Sequence, residues 1–238
     1  MRFITATLLA TCLLLVAGPV FANWTIRGEA FDPDTGDLDY IELHYLTFED
    51  DRIVERRVDY ERPDGERFAR KVLRYDTGLP YVPSLDWEDL EADTRITGRL
   101  NGGRYEQRIL DPQRDETERA RLSNPEQVVF DAAFDQYIAD NFDQLLEQGR
   151  LDFDFLSLSA GRTYSFRIEE SAQEDGRLVL DVGLSSALLR WFVDDLELEY
   201  DLESRRLLRF SGITNFRRDG DLVNSDIFYE YANDPEER

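Results

Sequence analysis

Glu42 and His44 are the two residues whose types and spacing best suit chemistry. They stand two positions apart in the segment Tyr40-Ile-Glu-Leu-His44, where apolar and polar residues alternate as in a β-strand. Both side chains would therefore leave the same face of the strand, where the carboxylate could orient the imidazole as a general base. Since His44 is the only histidine of the chain, a hydrolase that uses Glu42 and His44 is one hypothesis.

A surface charge cluster is the simpler interpretation of the same pair. If the strands on either side of the Asp50-Asp51 turn pair regularly, Arg57 lies opposite His44, and the three side chains of Glu42, His44 and Arg57 share one face. The apolar residues between them would then face the core. We expect the polar face to be solvated and to have no catalytic role, although a shift of one residue in the pairing would exchange the two faces.

The sequence provides little for a metal ion or a cofactor. One histidine and one cysteine, Cys12, exclude the usual histidine and cysteine metal sites and a thiol nucleophile. The segment Asp32-Pro-Asp-Thr-Gly-Asp37 resembles the start of a calcium loop, but its glycine comes one position early and the twelfth residue is Leu43 instead of glutamate. It predicts a hairpin turn, and we expect no cofactor and no bound metal.

The first 22 residues have the features of a secretory signal peptide. Arg2 precedes a long apolar run, and the run ends at the small residue Ala22. We therefore expect cleavage after Ala22, loss of Cys12 with the leader, and a periplasmic or secreted protein with no integral membrane segment. No linker divides residues 23–238, which are predicted to form a single domain.

The charge of the chain is strongly negative. It has 51 acidic and 28 basic residues, a formal net charge of −23, and loss of Arg2 with the leader makes it one unit more negative. Such a surface repels phosphate groups, which excludes a nucleic-acid partner. We interpret the acidity as an adaptation for solubility outside the cytoplasm, with calcium binding as the alternative. Lys71 is the only lysine, and two interpretations are open: it marks a place where a compact ammonium group is needed, or it occurs there by chance.

Residues 128–155 organise the rest of the chain, because they contain its best helical pattern. Apolar residues recur there at helical spacing and predict an amphipathic helix over residues 132–148 that Gly149 ends. Asn141 projects into the apolar face of that helix. It either bonds the backbone of a strand or faces a ligand cavity beneath the helix.

The remaining pattern is one of short strands joined by turns, beginning with residues 24–31, 38–49, 53–61 and 67–75. Residues 84–90 predict one helical turn, and residues 184–193 a short apolar helix or a lid. The predicted fold class is α+β. A curved, mostly antiparallel sheet of about ten strands forms a half-barrel, with the amphipathic helix and one or two short helices on its concave side.

An apolar cavity beneath the predicted helix is the candidate ligand site. Its polar groups would be Asn141 and Lys71. The candidate lining residues are Phe134, Ile138, Asn141, Phe142, Lys71, Leu188, Trp191 and Phe192.

Several segments make the chain resemble uncharacterised secreted proteins of proteobacteria. These segments are Gly28-Glu-Ala30, Tyr40-x-Glu-x-His44, Ala69-Arg-Lys71, Phe130-Asp-Ala-Ala-Phe-Asp135 and Arg206-Leu-Leu-Arg-Phe-Ser-Gly212. The order of elements resembles the half-open β-barrel of the periplasmic lipoprotein carrier LolA and acceptor LolB, whose helices lie in the mouth of a curved sheet above a cavity for acyl chains. This resemblance implies a cavity but assigns no functional residue. The lack of a lipoprotein cysteine argues against an anchored acceptor.

Three hypotheses for function follow in order of preference. The first is a non-enzymatic periplasmic protein that binds a lipid-like or hydrophobic ligand in the cavity. The second is a structural or protein-interaction module of the cell envelope with a filled core, whose partner would be another envelope protein. The third is the hydrolase that uses Glu42 and His44.

Overall fold

A computed structural model describes residues 24–50, 52–112, 118–122, 124–130, 133–157, 162–185, 196–218 and 221–231. Their strands form one fifteen-stranded sheet. The first eight strands are β1 (Trp24–Phe31), β2 (Leu38–Glu49), β3 (Arg52–Glu61), β4 (Arg67–Arg74), β5 (Ser84–Asp89), β6 (Thr94–Asn101), β7 (Arg104–Leu110) and β8 (Glu118–Leu122). The other seven are β9 (Val128–Phe130), β10 (Arg150–Leu156), β11 (Thr163–Glu174), β12 (Arg177–Leu184), β13 (Leu196–Asp201), β14 (Leu207–Arg218) and β15 (Asp221–Tyr231).

The sheet consists of two meanders, β1 to β8 and β9 to β15. They are joined where β1 pairs with β15. The order of the sheet runs from β8 back to β1, and then from β15 back to β9. The pairs within the described residues are antiparallel, except that β9 runs parallel to β10. Tight turns produce this order. In the turn before β4, Gly65 has φ of 89° and donates its N–H to Arg62 O over 2.8 Å.

The sheet curls until β9 approaches the loop that precedes β5. The N–H of Phe130 donates to Tyr81 O over 2.8 Å, and the rings of Phe130 and Tyr105 lie 5.8 Å apart. Two buried clusters line the inside of the curl. One contains Tyr60 and Trp87, and the other is built on the two helices and strands β10 to β13.

The predicted α+β class with a central helix is wrong. In place of one helix over residues 132–148, the structure has α1 (Phe134–Asp140) and α2 (Phe142–Gln148), each of seven residues. They pack beside β9 and β10 at one edge of the sheet. The helix breaks at Asn141, whose side-chain amide donates to Tyr137 O over 2.8 Å and so competes with the helical N–H for that carbonyl.

Strand β5 corrects a second prediction, the helical turn over residues 84–90. Leu85 and Trp87 are buried while Asp86 and Glu88 between them are half-buried, which is the period of a strand. Gly149 ends α2 in the left-handed conformation with φ of 69°, as predicted. The predicted leader and most of the predicted lid, residues 186–193, lie outside the described residues. No helix in the described part of the chain is long and apolar enough to cross a membrane.

Candidate functional site

A β-bulge in the first long hairpin decides which side chains face the interior. The pairing of β2 with β3 shifts by one residue between Thr47 and Phe48, so that His44 lies opposite Val58 and not opposite Arg57. The predicted solvated face is therefore wrong. Glu42 and His44 point inward and are only 7% and 5% exposed.

Arg56, missed by sequence reasoning, also points inward because of this shift. It belongs to the same face of β3 as the buried Val58 and Tyr60, and its side chain is 14% exposed. Arg57 lies on the outside, where its guanidinium covers the ring of Tyr45 at 4.1 Å. The alternation of Arg56 with Val58 and Tyr60 was visible in the sequence, but only the correct register gives it meaning.

Five inward-facing residues form what we call the interior polar cluster: Glu42, His44, Arg56, Lys71 and Asp135. His44 Nε2 lies 2.8 Å from Glu42 Oε2, and Arg56 donates its Nε–H to His44 Nδ1 over 3.3 Å. Because Nδ1 is an acceptor, Nε2 carries the proton of a neutral ring and donates it to Glu42.

Three further contacts tie the elements around the interior polar cluster together. Arg56 Nη1 lies 3.5 Å from Asp135 Oδ2, which joins β3 to the first turn of α1. The hydroxyl of Tyr200 in β13 donates to Asp135 Oδ1 over 3.2 Å. The hydroxyl of Tyr229 in β15 donates to Glu42 Oε2 over 3.3 Å.

Burial and neighbouring charges set the protonation states. Burial raises the pKa of Glu42, but the hydrogen bond from His44 and the positive charges of Lys71 and Arg56 outweigh it, so this pKa lies below its usual value. Burial is the main cause that lowers the pKa of His44, and the positive charge of Arg56 adds to it against the opposing effect of Glu42. At neutral pH, Glu42 is ionised and His44 is neutral.

The interior polar cluster borders a cavity of about 570 Å³. This volume falls in the range of about 300–1,000 Å³ that small-molecule sites occupy. Its walls are mainly aromatic and aliphatic, and each half of the sheet contributes rings. The aromatic rings that line it include Tyr60, Trp87, Phe134, Phe153, Phe155, Phe166 and Phe216.

Lys71 stands in the wall of this cavity. It lies on the inner face of β4, between Val58 of β3 and Trp87 of β5. Its Nζ is 5.8 Å from the ring centroid of Tyr60 and 6.0 Å from that of Trp87. The only lysine of the chain therefore places its ammonium among aromatic rings at the cavity.

The other predicted cavity residues fall in different places. Phe134 lines the cavity, whereas Ile138 and Phe142 are fully buried in the cluster beneath the helices. The side chain of Asn141 bonds Tyr137 O at the break between α1 and α2 and does not line the cavity. The remaining three, Leu188, Trp191 and Phe192, lie outside the described residues.

The geometry uses both nitrogens of the imidazole. Nε2 bonds to Glu42 and Nδ1 to Arg56, so His44 links a carboxylate to a guanidinium and would have to break one of these bonds to accept a proton from a ligand. Among the described residues, no group of three or more histidine, cysteine, aspartate or glutamate side chains is arranged to hold a metal ion.

A second cleft of about 450 Å³ opens on the other side of Tyr40. Its charged groups pair with one another: Arg62 lies 3.0 Å from Asp39, and Arg218 bonds the same carboxylate. It therefore suits an apolar ligand less well than the interior cavity does.

Comparisons with known proteins bear only on the fold. No protein-family model matches the chain, and no curated protein matches it. The chain is similar to a solved structure, the beta-barrel-like protein of domain of unknown function DUF1849 from Brucella abortus. The two share 8% sequence identity over 89% of this chain and 98% of that chain, with a TM-score of 0.39. We transfer no property at this TM-score, and the resemblance to LolA and LolB stays a prediction.

Proposed function

We propose that this protein binds a hydrophobic or lipid-like molecule in the interior cavity and catalyses no reaction on it. One observation carries the proposal: a cavity of about 570 Å³ has mainly apolar walls and a small number of convergent polar groups at one place. Apolar walls supply affinity in such sites, and a few polar groups fix orientation. The predicted leader would place this binding in the periplasm.

The cavity also favours this function over an interaction module with a filled core, which would have a solid interior. The hydrolase hypothesis is disfavoured by the two bonds that occupy both nitrogens of His44. A binding role needs neither nitrogen to be available.

Titration of the full chain with dodecanol tests the proposal, because this ligand has an apolar chain and an uncharged head. We expect saturable binding by isothermal titration calorimetry, and about fourfold weaker binding for each CH₂ removed from the alcohol. Native mass spectrometry of the protein purified from the periplasm should show a bound hydrophobic molecule.

Two variants of strand β12 provide the matched comparison. Val182 lines the cavity, whereas its neighbour Asp181 is exposed on the opposite face. Val182→Phe should fill part of the cavity and weaken dodecanol binding at least tenfold, and Asp181→Phe should leave it unchanged. Equal binding by both variants, or no saturable binding by the unmodified protein, would refute the proposal.

A further inference from the structure

We propose that the natural ligand is a single-chain amphiphile with a carboxylate head, as in a fatty acid, and that Lys71 and Arg56 hold this head. The inference rests on the proposed function and adds to it the chemical class of the ligand and its orientation. The head lies at the interior polar cluster and the chain lies along the aromatic walls.

The bonds within the interior polar cluster favour a hydrogen-bond acceptor as the group that a ligand brings to it. Its two carboxylates already accept several bonds: Glu42 from His44 and Tyr229, and Asp135 from Arg56 and Tyr200. Arginine carries five N–H donors and no acceptor, and Arg56 bonds His44 through Nε and Asp135 through Nη1. The two cations of the cluster therefore suit a ligand head that accepts hydrogen bonds better than one that donates them.

The placement of the two cations fits a carboxylate that enters from the cavity. Both Arg56 and Lys71 line it, and Lys71 reaches it from the strand next to that of Arg56. Guanidinium and ammonium groups bond carboxylates strongly through charge-assisted hydrogen bonds. The cluster itself is formally neutral, since the charges of Glu42 and Asp135 balance those of Arg56 and Lys71, so it does not repel an anion through net charge.

The overall charge of the protein makes a preference for an acid informative. A chain with a net charge of −23 repels anions at long range. This repulsion is largely screened beyond about 8 Å at 0.15 M salt. An acid that binds better than an alcohol of equal length must therefore be recognised by local groups.

The head-group preference is tested with three ligands that share a twelve-carbon chain: dodecanoic acid, dodecanol and dodecylamine. Each is titrated into the protein at pH 7.5 and about 0.15 M salt. We expect the acid to bind about 10- to 100-fold more tightly than the alcohol, as for hydrogen bonds to charged groups, and the amine to bind least well. Lys71→Met should reduce the advantage of the acid at least fivefold while affinity for the alcohol stays the same.

Two further variants control this measurement. Arg70→Met removes one positive charge from the adjacent position of β4, but Arg70 lies on the outer face and bonds Asp59, so the preference for the acid should persist. Lys71→Arg keeps the charge at the site and should keep most of the preference.

Each result decides between the two proposals. If none of the three ligands binds, the proposed function fails and the inference fails with it. If all three bind equally, or if the amine binds best, the proposed function stands and the carboxylate assignment is overturned. If the acid binds best but Lys71→Met and Arg70→Met reduce its affinity equally, Lys71 does not hold the head.

Discussion

Arg56 donates its Nε–H to Nδ1 of His44 over 3.3 Å, so a guanidinium cation and a neutral imidazole are buried side by side. This hydrogen bond joins β3 to β2, and Arg56 also forms an ion pair with Asp135 of α1. A buried cation is stable only when its partners compensate for lost hydration. The register of β2 with β3, the position of α1 and the protonation state of His44 therefore depend on one another.

Loss of Arg56 should therefore destabilise the protein much more than loss of the arginine beside it. We expect Arg56→Met to lower the free energy of unfolding by about 3 kcal/mol, because His44 and Asp135 lose the guanidinium group that bonds them. Arg57→Met should cost less than about 1 kcal/mol, since Arg57 is 40% exposed. Urea denaturation followed by circular dichroism measures both, and equal losses would contradict the buried position of Arg56.

The pKa of His44 makes stability depend on pH with a defined sign. The ring is harder to protonate in the folded state than in the unfolded state, where its pKa is near 6.5. As pH falls below 6.5, the unfolded state binds a proton that the folded state refuses, so stability decreases. The lowered pKa of Glu42 removes further stability at more acidic pH. Stability should therefore fall between pH 7 and pH 5, and this fall should be smaller in His44→Gln.

A direct measurement of this pKa is available because His44 is the only histidine of the chain. A single imidazole should titrate in NMR spectra of the folded protein, with a midpoint below 6.5. A midpoint above 6.5 would mean that the carboxylate of Glu42 outweighs burial, and it would reverse the sign of the pH dependence.

Gly98 and Tyr105 provide a test of close packing between β6 and β7. A Cβ atom added at Gly98 would lie 1.9 Å from Tyr105 Oη, whose hydroxyl donates to Pro83 O over 3.2 Å. Gly98→Ala should cost about 2 kcal/mol through overpacking. On a Tyr105→Phe background the same substitution should cost less, because the obstructing oxygen is gone. Additive losses in this double-mutant cycle would contradict the predicted contact.

Phe130 tests the closure of the curled sheet. It is fully buried, and its backbone and ring contact the loop before β5 and Tyr105 of β7. Phe130→Ala should lower the free energy of unfolding by about 3–5 kcal/mol. Phe228 is 47% exposed, and Phe228→Ala should cost less than about 1 kcal/mol. Thermal or urea unfolding distinguishes them, and a small effect at Phe130 would mean that the edge at β9 does not hold the curl.

Local sequence predicts the strands well where turn residues border them. The bounds of β1 and β2 agree with the predicted ones, because the turn residues from Asp32 to Asp37 stop the alternation. The interior site could not be predicted in the same way. The bulge between Thr47 and Phe48 depends on how two strands pair, and no local pattern reveals it. Without it, the inward and outward faces of β2 are exchanged.

The helix error has a different origin. The sequence shows Asn141 as a polar residue in the apolar stripe of one long helix, where we expect it to bond the backbone of a strand or to face a ligand cavity. In the structure its amide bonds the preceding turn of its own helix. Periodicity alone cannot distinguish a continuous helix from two short ones with the same phase. Contacts such as Phe130 with Tyr81, which set the curl, are equally invisible to local patterns.

The central position of β1 beside β15 has a consequence for the order of folding. Most neighbours in the sheet are consecutive along the chain and can pair as local hairpins, whereas Ile26 and Tyr231 pair across almost the whole described chain. Closing so long a loop is entropically costly, and we expect this pairing to form late. Glu42 and Tyr229 lie on opposite sides of the pairing between β1 and β15, so the interior cavity is complete only after these two strands pair. A ligand would then bind only the fully folded chain and slow its unfolding in proportion to occupancy.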